Sequence, residues 1–323
     1  MKFMQKLGRL FFLCTLLGIG FGGYFINNSI SNQKDQNFAI AKTKPSASEN
    51  KPNLNPNSNN FTEELEYQRL AKILGDRQLA QLPFNQVLQN VSTQFIGANY
   101  REGLLDQGET EKLFVSLTKF DCVLFVETVL AFSKNLIAPN PSYTNFIQNV
   151  EEVRYVNGKL DGYCSRLHYF SEWIRDNQSR NIVRDITADL GGIPIQKTLN
   201  FMSSNWQKYP RLKNSEANYQ CILAMEKKLA AEMRSQPLQY IPTNQIRSIY
   251  PSLKAGDIIA IVTDIKGLDT THTGLVYPIA KGTGFIHASP SGKVKIANDL
   301  QRYVERVDQA IGIMVARPVS ASK

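Results

Sequence analysis

Histidine is the scarcest chemistry-bearing residue in this chain. Only His168, His272 and His287 occur in 323 positions, alongside four cysteines. No set of these stands at the spacing of a zinc site, so the sequence carries no metal-site signature. It also lacks any Lys/Arg stripe with interleaved aromatics, which argues against nucleic acid as a partner despite a formal charge of +9. Part of that charge is local: Lys2, Lys6, Arg9 and Lys34 against Asp35 give residues 1–41 a net +3, leaving +6 spread over the rest. Such a spread supports only weak attraction to an anionic polymer such as the cell envelope. No internal repeat is present, which sets aside solenoids and propellers. Phe12 and Leu13, both large, precede Cys14 and argue against lipid attachment there.

What the N-terminus does have is an uncharged run of 17 residues, Leu10 to Ile26, behind Lys2, Lys6 and Arg9. A basic segment followed by an apolar core reads as an export signal. Its length also reaches the lower limit for a membrane span, so residues 1–41 are expected to be a signal peptide or a membrane anchor. The small-residue triplet Ala39-Ile40-Ala41 resembles a cleavage site but lies far beyond the apolar run. Either way the charge placement sends the remainder out of the cytoplasm, to the periplasm or an equivalent space. Residues 42–60 are Pro/Asn/Ser/Lys-rich with almost nothing to bury, and read as a disordered tether.

The folded part is expected to span 61–319. Thr62-Glu63-Glu64-Leu65 with Leu70, Ile73 and Leu74 predicts a capped amphipathic helix ending at Gly75. A second helix is expected from about Pro83 to Phe95. The alternating run Leu113 to Thr118 reads as a short strand, followed by a helix that opens at Asp121-Cys122 and continues past Phe132. Helices are also predicted at 143–153, over the second half of 163–173, and at 218–233, with a strand-like stretch at 182–187 before the break Gly191-Gly192. From Gly256 onward, five short segments centred on 257–263, 272–277, 284–288, 294–296 and 311–315 read as strands of an antiparallel sheet. Helices first and sheet last is the α+β arrangement.

A cysteine in the first turn of a helix meets unpaired backbone N–H groups and the positive end of the helix dipole, which favour a thiolate. Cys122 has that placement. His272 and His287 fall on successive predicted strands, and pairing those strands as a hairpin brings both imidazoles to one end of the sheet. A cysteine packed there meets a base, and the base an orienting group, the arrangement of cysteine acyl transfer. Burial as a small hydrophobe is the competing reading of Cys122; exposed strand-end positions are that of the histidines.

Three motifs in this order, Asp121-Cys122-x-x-Phe125-Val126, His272-Thr273-Gly274-Leu275-Val276 and Ile286-His287-Ala288-Ser289, resemble the papain-like cell-wall hydrolase superfamily typified by NlpC. Gly97-x-x-Tyr100-x-x-Gly103 is similar to it as well. Glu127 after the cysteine motif, with Arg166-x-His168-Tyr169-Phe170-Ser171-x-Trp173, resembles its N-acetylmuramoyl-L-alanine amidase-like branch. The resemblance implies a papain-like fold carrying an insert between cysteine and histidine. It implies Cys122 as nucleophile, His272 as general base and His287 as orienting residue, with the Cys122 N–H contributing to an oxyanion site. Tyr100, Asp121, Arg166 and His168 become substrate-pocket residues; the Arg166 fork suits a carboxylate or sugar contact. The implied reaction is cleavage of the amide between N-acetylmuramic acid and L-alanine in peptidoglycan or muropeptides, with no metal or organic cofactor needed; the chain is expected to be a monomer. A stem-peptide endopeptidase and a catalytically silent wall-binding module remain the alternatives.

Cys164 stays open. Four residues before His168, it shares a helix face with that histidine if the helix is continuous, which makes a rival nucleophile–base pair. It can equally be buried, or form a disulfide with Cys221 that leaves Cys122 free.

Overall fold

The computed structural model describes residues 58–75 and 79–320. The expected leader, residues 1–41 with the run 10–26, and the tether up to 57 lie outside the described residues. No helix among the described residues is long and apolar enough to cross a membrane. The architecture is α+β. Helices α1 (Ser58–Gly75), α2 (Phe84–Thr93), α3 (Cys122–Ile137), α4 (Tyr143–Arg154) and α5 (Phe170–Ser179) come first, then the short α6 (Phe201–Ser204) and α7 (Pro210–Lys213) and the long α8 (Glu216–Ser235). Strands β1 (Asn99–Tyr100) and β2 (Lys119–Phe120) form a small parallel pair just ahead of α3.

The main sheet runs β4 (Ile193–Ile195), β5 (Leu238–Pro242), β10 (Ala310–Pro318), β6 (Ile258–Thr263), β7 (Thr270–Ile279), β8 (Gly282–Ala288), β9 (Val294–Ala297), with β3 (Val183–Asp185) also paired to β10. Its pairings are antiparallel. β6 is buried along its whole length because both its faces are covered. Ile258, Ala260 and Val262 join the core beneath the helices, while Ile259 and Ile261 join a second cluster with Ile246, Ile249 and, from α9 (Leu300–Val304), Leu300 and Val304. A continuous apolar run is what such a two-sided strand requires. α3 is the central helix: thirteen of its sixteen residues are buried, and it carries Phe125, Val126, Val129, Leu130 and Phe132 into the larger core.

Two local expectations differ from the structure. Residues 113–118 are not a strand; the strand is Lys119–Phe120. Ser116 Oγ accepts from the N–H groups of Thr118 and Lys119, and Glu63 accepts from the Leu117 N–H at 2.5 Å, so side chains take the groups a sheet ladder would use. Glu63 also explains the second difference. α1 starts at Ser58, so Thr62 lies inside it, and the inward stripe is Glu63, Tyr67, Leu70 and Leu74 while Leu65 is exposed. The stripe keeps the helical period, with a carboxylate spent on bracing the approach to α3.

Cys164 and Cys221 are joined as a disulfide, with Cα atoms 6.2 Å apart. The bridge ties the turn Tyr163–Ser165 to α8 across a separation of 57 residues. Closing a loop of that length restricts the unfolded chain, and its removal by Cys164→Ala/Cys221→Ala is expected to cost about 2–4 kcal/mol of unfolding free energy, measured by denaturant titration.

Candidate active site

The sequence of α3 sets the placement of Cys122. Asp121 is the N-cap: its backbone is extended and its carboxylate accepts from the Leu124 N–H at 2.8 Å. Cys122 is therefore the first helical residue, at the end of α3 where the helix dipole is positive. It is 1% exposed and is the cysteine among the described residues that is not in a disulfide.

One cavity gathers most of the residues singled out from the sequence. Its lining includes Tyr100, Asp121, Cys122, Arg166, His168 and His272, together with Glu102, Asp106, Glu127, Arg154 and Thr270. Tyr100 comes to it from β1, flanked by Gly97 at φ +88° and Gly103 at φ +70°. Those left-handed turns are why glycine stands on both sides of the tyrosine.

His287 does not line the cavity; it stands behind His272. Leu275 pairs with Ile286 across β7 and β8, so extending that register puts His287 opposite Gly274 and diagonal to His272, on one side of the hairpin. The two rings meet edge to face at 4.8 Å, with His272 Nε2 2.7 Å from His287 Nδ1. Gly274 is required here, because a Cβ would come within 2.7 Å of the Phe285 ring, and that ring stacks on His287 at 4.9 Å. Tyr303 of α9 completes the enclosure, its ring 4.6 Å from that of His287 and its hydroxyl 3.4 Å from His287 Nδ1.

Burial pushes His287 down to about 2, aided by the neighbouring His272 and Lys295. The unfolded chain therefore takes up a proton near pH 6.5 that the folded chain refuses. Stability falls as pH drops from about 6.5 toward 2, with a slope of up to about 1.4 kcal/mol per pH unit from this group. His287→Gln is expected to flatten that acid limb, measured by unfolding titrations at pH 4 to 7.

The rival pair does not form. Cys164 is bonded to Cys221, and a continuous helix from 164 to 168 is absent: Tyr163–Ser165 is a single 3-10 turn and Arg166 is extended, bridged to Tyr155. His168 instead lies on the Tyr163 ring at 4.6 Å, and its Nε2 is 2.9 Å from the Tyr163 carbonyl. Burial, reinforced by Arg166, holds it well below the usual histidine range. It is neutral, so Nε2 carries the proton and donates to that carbonyl, leaving Nδ1 an acceptor.

Arg166 is 2% exposed and bonds Asp106 at 2.5 Å, with Glu111 3.5 Å from its Nε. Burial opposes its charge, but Asp106, Tyr163 and Glu111 outweigh that and keep it protonated above its ordinary value. Arg154 and Glu127 escaped the sequence reading as site residues. They form a fully buried pair at 2.7 Å, and both line the cavity. Glu127, five residues beyond the cysteine on α3, was legible as part of a motif, but Arg154, the last residue of α4, carried no signal of its own.

The family model described as AmiA-like, N-acetylmuramoyl-L-alanine amidase-like, matches residues 90–313. A crystal structure of an N-acetylmuramoyl-L-alanine amidase from Bacteroides uniformis ATCC 8492 superposes with a TM-score of 0.69 at 28% identity, covering 73% of this chain and 99% of that one. A Bacteroides fragilis protein described as a candidate xylanase matches at 31% identity and a TM-score of 0.66, over 71% of this chain and 99% of its own. A Legionella pneumophila protein of family DUF1460 shares the fold at 20% identity, TM-score 0.61, over 81% and 96% of the two chains. No curated protein matches the sequence.

Proposed function

We propose that this chain, which belongs to the N-acetylmuramoyl-L-alanine amidase-like family, is an exported cysteine amidase of papain-like, NlpC-type fold that cleaves the amide between N-acetylmuramic acid and L-alanine in peptidoglycan or muropeptides. The observation that carries the chemistry is a cysteine outside any disulfide at a helix start, lining the same cavity as a histidine that a second, neutral histidine holds at 2.7 Å.

The base role proposed for His272 selects the tautomers at that contact. With His287 neutral, its Nδ1 accepts the proton on His272 Nε2, and His272 presents an unprotonated Nδ1 as the base. Cys122 passes its proton to that nitrogen, and the thiolate attacks the amide carbonyl. The oxyanion forms beside the N-terminal N–H groups of α3, that of Cys122 first among them. Collapse breaks the C–N bond, His272 gives its proton to the departing L-alanine nitrogen, and the muramoyl half stays as a thioester. Water, deprotonated by His272, then releases the sugar acid. His287 serves as the acceptor that stabilises the His272 imidazolium while staying uncharged itself. Tyr100 and Asp121 line the cavity beside the sulfur, and Asp121 also caps the nucleophile's helix.

Mass spectrometry of muropeptides digested with the purified chain tests the bond assignment. Free sugar together with an intact stem peptide is the expected product pair; cuts inside the peptide would instead assign an endopeptidase. An uncleaved substrate and a Cys122 that resists thiol-specific labelling at neutral pH would leave a binding module.

A further inference from the structure

The cavity holds more hydrogen-bonding capacity than the protein itself uses. Arg154 spends Nε on Glu127 at 2.7 Å and Nη1 on the Phe114 carbonyl at 2.5 Å, and its Nη2 is buried with no hydrogen-bond partner among the described residues. Arg166 spends Nη2 on Asp106, and its Nη1 is buried without one. His168 spends Nε2 on the Tyr163 carbonyl and leaves Nδ1 buried and unused. All three side chains line the cavity that contains Cys122, and each is at least nine-tenths buried. The charge of Arg166 also reaches Glu127, the partner of Arg154.

Buried N–H groups left unused are costly, so a cluster of them in the cavity that holds Cys122 is an unfilled binding site more readily than a structural brace. Two cationic donors at fixed positions suit the two oxygens of a carboxylate, which an arginine fork grips more firmly than it grips a neutral oxygen. The bare Nδ1 of His168 asks for the opposite, a donor. An amide N–H one carbon away from a free carboxylate supplies both, and that is the chemistry of an N-acylated α-amino acid.

We propose that Arg154, Arg166 and His168 form a subsite for the residue after L-alanine, binding its free α-carboxylate through the two arginines and its amide N–H through His168. The inference rests on the amidase reading for the direction of the peptide, and it adds a specificity rule. The enzyme prefers stems whose second residue is an acidic D-glutamate with a free α-carboxylate over stems in which that group is a carboxamide.

The test is calorimetric binding of two dipeptides to the full chain, L-alanyl-D-glutamate and L-alanyl-D-isoglutamine. They differ only in that carboxyl group, and neither contains the muramoyl amide. The acid is expected to bind about 10- to 100-fold more tightly, the range of a charge-assisted pair, and the Arg166→Lys chain is expected to lose most of that difference. Equal affinities, or binding of neither dipeptide at millimolar concentration, would overturn the subsite. A parallel digestion of muropeptides keeps the two claims apart: hydrolysis without dipeptide discrimination removes the subsite alone, whereas discrimination without hydrolysis keeps the subsite and removes the amidase.

Discussion

Cys122→Ala is expected to lower muropeptide hydrolysis by at least about 10³-fold, because removing the nucleophile of a group that acts as a unit leaves only binding and oxyanion stabilisation. The loss should fall on turnover and not on the fold. Cys122 is a small buried side chain, and alanine keeps its Cβ and its place in α3, so a change in unfolding free energy of no more than about 1 kcal/mol is expected. The measurement is product release followed by mass spectrometry, with thermal unfolding of the same sample as the control. The disulfide gives the result its force. Cys164 and Cys221 are consumed by each other, so turnover retained in Cys122→Ala has no other described cysteine to explain it and would end the cysteine mechanism.

The cysteine and histidine half of this candidate site was legible in the sequence because its constraints are local. An Asp-Cys pair opening an apolar helix fixes the cap and the first turn, and histidines on neighbouring strands of a hairpin meet by register alone. Gly274 belongs to the same local logic, its missing side chain making room for Phe285. The pocket half was legible only through resemblance. Arg166 and His168 sit on an irregular stretch whose course is set by Gly162, a single 3-10 turn and a bridge to Tyr155, none of which has a period to read. Arg154 was hidden for a different reason. As a basic residue in the last turn of α4 it looks like an ordinary partner of the helix dipole, and only packing against α3 turns it inward onto Glu127. The stripe of α1 misled in the same way, since Glu63 takes a position where pattern alone favours an apolar residue.

Arg154→Met is expected to cost about 3–5 kcal/mol of stability, because it leaves the Glu127 carboxylate buried opposite no cation. Its pH dependence has a definite sign. Burial already pushes the Glu127 carboxyl up against the pull of Arg154, and losing Arg154 pushes it further. The folded variant then accepts a proton at a pH where the unfolded chain has lost it, so the deficit relative to the parent is largest at neutral and alkaline pH. It shrinks as pH falls through the raised folded value toward the unfolded one. Taking the difference between variant and parent at each pH removes the opposite trend from His287. A second variant separates stability from recognition. Replacing both partners, Glu127→Leu with Arg154→Met, removes the stranded charge, and apolar replacements of a buried pair are often neutral or better; most of the lost stability should return in denaturant titrations. The preference for L-alanyl-D-glutamate should not return, since one of its two arginines is gone. Recovery of both would make Arg154 only a brace for Glu127, and recovery of stability alone is what a residue that both holds the fold and grips the substrate predicts.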